Sequence, residues 1–214
     1  MKNKFNSTLL TLLLLSTATY SQVSDRVLFV IDMQTNLLMH GKGGIHVDSL
    51  QTGPLIKNVN TTIYTAQSLG IPVFYILNEW TNPLVNFFTH NACKKGSAGT
   101  ELDRRIAVVD SLFFKKSAGN SFSNAQLSDY VKRYSIKTIY ITGIMAEGCV
   151  AATVTQGLKR GLDMRLIVPA IGSSSRSKLE KSLDSLKRQG AKTIQKIEER
   201  PEEKNSKEVK LSNK

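Results

Sequence analysis

Val27-Leu28-Phe29-Val30-Ile31, entered from Arg26 and stopped abruptly by Asp32, is an unbroken run of aliphatic and aromatic residues. A run without polar alternation suits a strand covered on both faces, the situation of a parallel sheet between two helical layers. Outward from it, residues 52–68 place Leu55, Ile56, Val59, Ile63 and Ala66 at helical spacing, and Gly70 and Pro72 punctuate the end. Residues 73–77 predict a second strand and 107–114 a third. Ser123 is expected to cap a helix over 125–134 with Leu127, Tyr130, Val131 and Tyr134 on one stripe. A fourth strand is expected at 137–142, a helix over 148–160 closing at Gly161, a fifth strand at 165–168, a helix over 176–188 stopping at Gly190, and a short sixth strand at 193–197. Regular strand and helix alternation predicts an α/β fold of three layers, α/β/α, around a parallel sheet.

With 214 residues, 41% of them hydrophobic, and only 5 Pro and 14 Gly, the chain suits one compact domain and excludes collagen-like or wholly disordered classes. The first residues read as an address: Lys2 and Lys4, an aliphatic run over 9–15, then Thr19-Tyr20-Ser21 with small residues at −3 and −1 of a cleavage site after Ser21. This predicts a signal peptide over 1–21, an exported (periplasmic or secreted) protein, and no stable membrane insertion after cleavage. The run is shorter than the roughly 20 residues of a membrane span, although an uncleaved anchor is the alternative. The main domain is expected over 22–197, and 198–214 is a mixed-charge tail expected to be disordered.

The formal charge of +12, or +10 once the two N-terminal lysines are removed, invites an acidic partner. Lys57, Lys94, Lys132, Lys159, Lys178 and Lys192 form no run and no aromatic interleaving, so nucleic acid is not expected. Gly41-Lys42-Gly43-Gly44 lacks the spacing of a phosphate-binding glycine motif. His40, His46 and His90 are scattered and match no zinc-helix spacing. Two cysteines in an exported chain suggest one disulfide, Cys93 to Cys149. Against it, a domain of this size needs no staple, and Cys149 lies in a strand-turn-helix setting suited to a reactive thiol.

Ligands of open parallel sheets collect beyond the carboxyl ends of the strands. Asp32 follows the first predicted strand, Lys116 the third and Cys149 the fourth, so an acid, a cation and a thiol are expected to converge. Each has a bland reading: a turn residue, a solvated lysine, a small buried hydrophobe. The start of the helix after Cys149 would favour a thiolate.

Three motifs in sequence order, Val30-Ile31-Asp32-Met33-Gln34, Lys116 with Phe122 six residues on, and Gly143-Ile144 leading to Cys149-Val150, resemble the isochorismatase-like cysteine hydrolase superfamily over about residues 26–172. The resemblance implies a six-stranded parallel sheet of order 3-2-1-4-5-6 and an Asp32-Lys116-Cys149 triad. It also implies a cis peptide at Ile144-Met145 and oxyanion donors at the backbone of Met145 and Cys149. The implied activity is hydrolysis of a C–N bond in a small amide, ureide or carbamoyl compound through a cysteine thioester, with a homo-oligomer possible. An isochorismatase-type enzyme or an inactive exported binding protein of the same fold is the alternative. Leu77-Asn78-Glu79-Trp80-Thr81 lacks the Asp-x-His that metal-binding nicotinamidases of the family carry after strand two, so no metal or other cofactor is expected. The segment ending strand five, Val168-Pro169-Ala170-Ile171, also lacks the aspartate of many relatives. Trp80, Asn78, Phe122 and Gln34 are the expected substrate contacts, with Phe87 and Phe88 as further wall candidates; plain core is the alternative for the aromatic residues, and support of the loop after Asp32 the alternative for Gln34. Strand alternation keeps Lys115 and Lys116 from pointing the same way, and the step to Phe122 selects Lys116.

Overall fold

The computed structural model describes residues 24–39 and 47–199. The predicted signal peptide, the glycine-rich 41–44, His40, His46 and nearly all of the charged tail lie outside the described residues.

Six parallel strands form one sheet in the order β3-β2-β1-β4-β5-β6. They are β1 (Arg26–Ile31), β2 (Val73–Asn78), β3 (Leu112–Lys116), β4 (Thr138–Gly143), β5 (Asp163–Ile171) and β6 (Lys192–Ile194). β1 is buried along its whole length. Its Leu28 and Val30 join one core with Leu55, Ile56, Val59, Ile63 and Ala66 of α2 (Ser49–Ser68). Its Val27, Phe29 and Ile31 join the other, with side chains of α4 (Ala125–Arg133), α5 (Ala151–Lys159) and α6 (Arg176–Arg188). The uninterrupted apolar run is thus a strand whose two faces each have a helical layer to meet.

The structure differs from expectation where polar side chains replace ladder bonds. The third strand starts at Leu112, later than predicted, because 107–111 is held without sheet pairing. There the Tyr75 hydroxyl donates to Ala107 O (3.0 Å) and accepts from Val109 N–H (3.0 Å), while Asp110 accepts from Val73 N–H (2.7 Å). Asn124, not Ser123, caps α4 by accepting from Leu127 N–H (2.8 Å), and Ser123 ends a short 3-10 turn, Ser121–Ser123. The helix expected from Gly148 is a π turn, Ala146–Val150, followed by α5. β5 is longer than expected, and its pairing with β4 shifts between Leu166 and Ile171. Pro169, which has no N–H to give a ladder, lies in that bulge. β6 is shorter than its predicted span. Two short helices, α1 (Thr35–Leu38) and α3 (Pro83–Phe88), are too brief for a periodicity argument to find.

Gly143 closes β4 opposite Ile31, with φ at 109°. A Cβ there would land on the Ile31 carbonyl oxygen, which already accepts from Ile144 N–H (3.0 Å). Both the backbone conformation and the close approach require glycine. Gly143→Ala is expected to cost more than about 4 kcal/mol, a loss reserved for such combined defects. Thermal unfolding monitored by circular dichroism checks this, and a melting temperature equal to that of the parent contradicts it.

Candidate active site

The strand order sets three chain ends side by side. Asp32 follows β1, Asn78 is the last residue of β2, and Lys116 is the last residue of β3, paired in register with Asn78. Lys116 Nζ donates to Asp32 Oδ2 at 3.0 Å, and both side chains are hidden from solvent. Lys115, one residue earlier, points outward to Glu79 (3.0 Å) with 65% of its side chain exposed, as strand alternation dictates. Asp32 has a left-handed φ of 55°, uncommon outside glycine though tolerated best by Asp and Asn. That turn takes the chain out of the sheet one residue after Ile31 and leaves the carboxyl at the strand end.

Asn78 ties the pair together. Its Nδ2 donates to Asp32 Oδ2 (2.6 Å) and toward Cys149 Sγ (3.6 Å), and its Oδ1 accepts from Lys116 Nζ (2.5 Å). The other carboxyl oxygen, Asp32 Oδ1, is buried without a hydrogen-bond partner; among the described residues only Asn86 Oδ1 shares that condition. A buried oxygen that nothing satisfies is the place where a proton is most welcome.

Cys149 lies in the π turn between β4 and α5, on the other side of β1, and is partly exposed. The Ile144–Met145 peptide just before the turn is cis. Ala146 N–H donates to Gly172 O (2.9 Å), whereas Met145 N–H has no acceptor among the described residues. Glu147, absent from the sequence reading, clamps the loop after β5. One oxygen accepts from Ser173 Oγ (2.7 Å), the other from Ser174 Oγ (2.5 Å) and Ser174 N–H (3.1 Å). Another unforeseen contact joins the loop after Lys116 to α5: Thr153 Oγ1 accepts from Ser121 N–H (3.0 Å) and meets Ser121 Oγ (2.9 Å), all buried.

The electrostatics favour a proton-rich site. Burial pushes the Asp32 carboxyl above its ordinary value, with Lys116 pulling against it. Burial drags the Lys116 ammonium down, but Asp32 and Cys149 outweigh it and hold the lysine above its ordinary value. Burial, reinforced by Asp32, pushes the Cys149 thiol up to about 11. Desolvation and the adjacent acid thus outweigh Lys116, which pulls toward the thiolate that the helix start was also expected to favour. Cys93, fully buried nearby, is pushed up to about 12 by burial, and neither cysteine is in a disulfide.

Two expected substrate contacts are committed elsewhere. Gln34 is buried and its amide serves the backbone: Nε2 donates to Asn78 O (2.9 Å) and Thr100 O (2.6 Å), and Oε1 accepts from Asn78 N–H (2.8 Å). Asn78 is spent on the acid, the lysine and the sulfur. Phe122 is a core residue 6.0 Å from Phe29, with the Arg160 guanidinium over its ring. Trp80 is nine-tenths buried in the same core as Ala92 and Cys93, and its backbone N–H donates to Cys93 O (2.7 Å). Phe87 and Phe88 are largely exposed on α3.

A family model described as an isochorismatase domain matches residues 26–198. The chain belongs to the isochorismatase family. Within the family it is 28% identical over 161 residues to ureidoacrylate amidohydrolase RutB of Methylorubrum extorquens, covering 63% of this chain and 64% of that relative. It is 28% identical over 127 residues to N-carbamoylsarcosine amidase of an Arthrobacter species, covering 54% of this chain and 47% of that one. The chain thus spans less than two thirds of the length of the curated relatives it matches. Its fold is that of the pyrazinamidase of Pyrococcus horikoshii solved in complex with zinc (TM-score 0.69, 23% identity, 80% of this chain and 99% of that chain). It is equally that of an isochorismatase family protein from Desulfovibrio vulgaris (TM-score 0.71, 14% identity, 79% and 93%).

The residues beside Asp32, Lys116 and Cys149 do not fit a metal such as that zinc. Asn78 is consumed by Asp32 and Lys116, Glu79 is paired with Lys115, and Trp80 offers no donor pair. Among the described residues no group of three His, Cys, Asp or Glu is placed to share an ion.

Because only the thiolate reacts, alkylation of Cys149 by iodoacetamide is expected to rise about tenfold per pH unit from pH 7 to 10, without a plateau. Peptide mass spectrometry reads Cys149 separately from Cys93. A plateau below pH 9 contradicts the raised thiol.

Proposed function

We propose that this protein is a cysteine amidohydrolase that cleaves the C–N bond of a small amide, ureide or carbamoyl compound. The observation that carries the reading is the buried Asp32–Lys116 pair at the sheet's carboxyl edge, with one Asp32 oxygen unsatisfied and the Cys149 thiol close enough to interact with that carboxyl. The two amidohydrolase relatives support the reaction class.

In this mechanism Cys149 Sγ attacks the substrate carbonyl carbon as its proton passes to Asp32, and the carbonyl electrons move onto oxygen. Backbone N–H groups of Met145 and Cys149 receive the oxyanion. The tetrahedral species collapses, the C–N bond breaks, and Asp32 returns the proton to the departing nitrogen, leaving a thioester. Water then attacks the thioester, Asp32 takes its proton, and the C–S bond breaks to release the acid and restore the thiol. Lys116 keeps Asp32 charged enough to act as a base despite its burial. The high resting thiol value makes this concerted transfer necessary. Trp80, two residues beyond Asn78, is the expected wall for the substrate.

An ammonia-release screen over small amides, ureides and nicotinamide tests the reading. The wild type is expected to turn over at least one compound, and Cys149→Ala to lose about four orders of magnitude. Lys116→Ala is expected to fall by orders of magnitude while Lys115→Ala stays near wild type. Activity is expected to survive a chelator. Equal release by wild type and Cys149→Ala overturns the proposal, and damage confined to Lys115→Ala overturns the triad.

We also propose that residues 1–21 direct export, on the strength of Lys2, Lys4 and the aliphatic run they precede. N-terminal sequencing of protein recovered outside the producing cytoplasm is expected to begin at Gln22, and an intact Met1 terminus there contradicts cleavage.

A further inference from the structure

We propose that Asn78 is a positioning residue: its side-chain amide, locked in place by Gln34, fixes Asp32, Lys116 and Cys149 relative to one another and supplies a hydrogen bond to the Cys149 sulfur. The role of the sulfur rests on the amidohydrolase reading, whereas the contacts stand apart from it.

A primary amide offers two N–H donors and one acceptor oxygen. Here each faces a different member of the site: Asp32 Oδ2 at 2.6 Å, Cys149 Sγ at 3.6 Å and Lys116 Nζ at 2.5 Å. The sulfur contact is long because sulfur is large and its lone pairs diffuse. The orientation is dictated by charge. A flipped amide would set its oxygen against the Asp32 carboxylate and its NH2 against the Lys116 ammonium, two repulsions between fully buried groups. The buried ion pair therefore chooses which end of Asn78 meets the sulfur.

The backbone under Asn78 is fixed as firmly. Once Asp32 turns out of the sheet, the end of β2 needs another partner on that side. Gln34 provides one by imitating a strand residue, accepting from Asn78 N–H at 2.8 Å and donating to Asn78 O at 2.9 Å. Its second donation, to Thr100 O at 2.6 Å, braces the same amide from the far side. Among the described residues the path Thr100, Gln34, Asn78, Cys149 is thus a chain of hydrogen bonds ending on the nucleophile.

The consequence is chemical. When Asp32 takes the thiol proton, charge builds on sulfur, and a donor held in place beforehand stabilises it without reorganisation. The charged or titratable groups facing that sulfur are Asp32 at the end of β1, Lys116 at the end of β3, and the more distant Cys93 thiol. Of these Asp32 opposes a thiolate and Lys116 favours it. Asn78 is the neutral group that favours it while also bonding the opposing acid.

The test uses the full chain and a readout that needs no substrate: the rate at which iodoacetamide alkylates Cys149 across pH, read by peptide mass spectrometry with Cys93 followed separately. Asn78→Leu removes the amide at nearly constant shape. It is expected to slow alkylation at pH 8.5 about tenfold, the effect of one unit in thiol pKa. Gln34→Met, which touches none of the reacting groups, is expected to slow it by less, and Lys115→Ala not at all. With a substrate from the ammonia screen, Asn78→Leu is expected to lose kcat with KM little changed. Cooperative thermal melting certifies each variant, and if Asn78→Leu does not fold, Asn78→Ser and Gln34→Met carry the same criterion. A wild-type alkylation profile in a folded Asn78 variant overturns the proposal, as does a rise in KM alone, which would make Asn78 a substrate ligand. Absence of any amidase activity, with the alkylation shifts present, sinks the proposed function and leaves this inference standing.

Discussion

A lysine and an aspartate locked together out of reach of water are the constraint that the carboxyl edge of this sheet is built to satisfy. Taking both charges out of solvent is costly, and losing one partner of such a pair typically destabilises by about 3–5 kcal/mol. Only good geometry and further hydrogen bonds offset that cost. The parallel sheet provides the geometry, because β1, β2 and β3 run the same way and end at nearly the same level. Their last positions become neighbours whether or not they are close in sequence: 84 residues separate Asp32 from Lys116. Asn78, between them, adds the hydrogen bonds.

The strand-helix alternation and the convergence of Asp32, Lys116 and Cys149 were legible in the sequence because they follow from period and position. Val27 to Ile31 can be read as doubly covered without any knowledge of what covers it. The face of Lys116 follows from alternation once the strand is accepted, even though its start was placed too early. What could not be read were roles that depend on which strands are neighbours. Asn78 looks like a free polar group near a site, and only the β3-β2-β1 order shows that it is wedged between two charges; Gln34 is legible as a support for the loop after Asp32, but not as the side chain that closes a gap in the ladder. The thiol is the plainest failure of local reasoning. The helix start and the lysine both argue for a thiolate and Asp32 is legible as a neighbour, but the burial that leads the opposing balance is not visible along the chain.

Long-range polar contacts also hold the two sides of the site in a common frame. Ser121 and Thr153 join the loop after the lysine to the helix after the cysteine, and Glu147 joins the cysteine turn to the loop after β5. A local hydroxyl or carboxylate at such a junction looks like surface decoration in sequence. In the fold it limits how far the lysine and the sulfur can move apart, and site precision of that kind matters because small misplacements of reacting groups cost rate.

The high resting value of the Cys149 thiol has a bearing on durability. With a pKa of about 11, roughly one molecule in ten thousand carries a thiolate at pH 7. Peroxide oxidation to the sulfenic acid and exchange with small disulfides both proceed through that anion. Under the proposed mechanism, in which the sulfur gives up its proton to Asp32 as a carbonyl carbon arrives, a thiol held this high is expected to react slowly with oxidants in the absence of substrate.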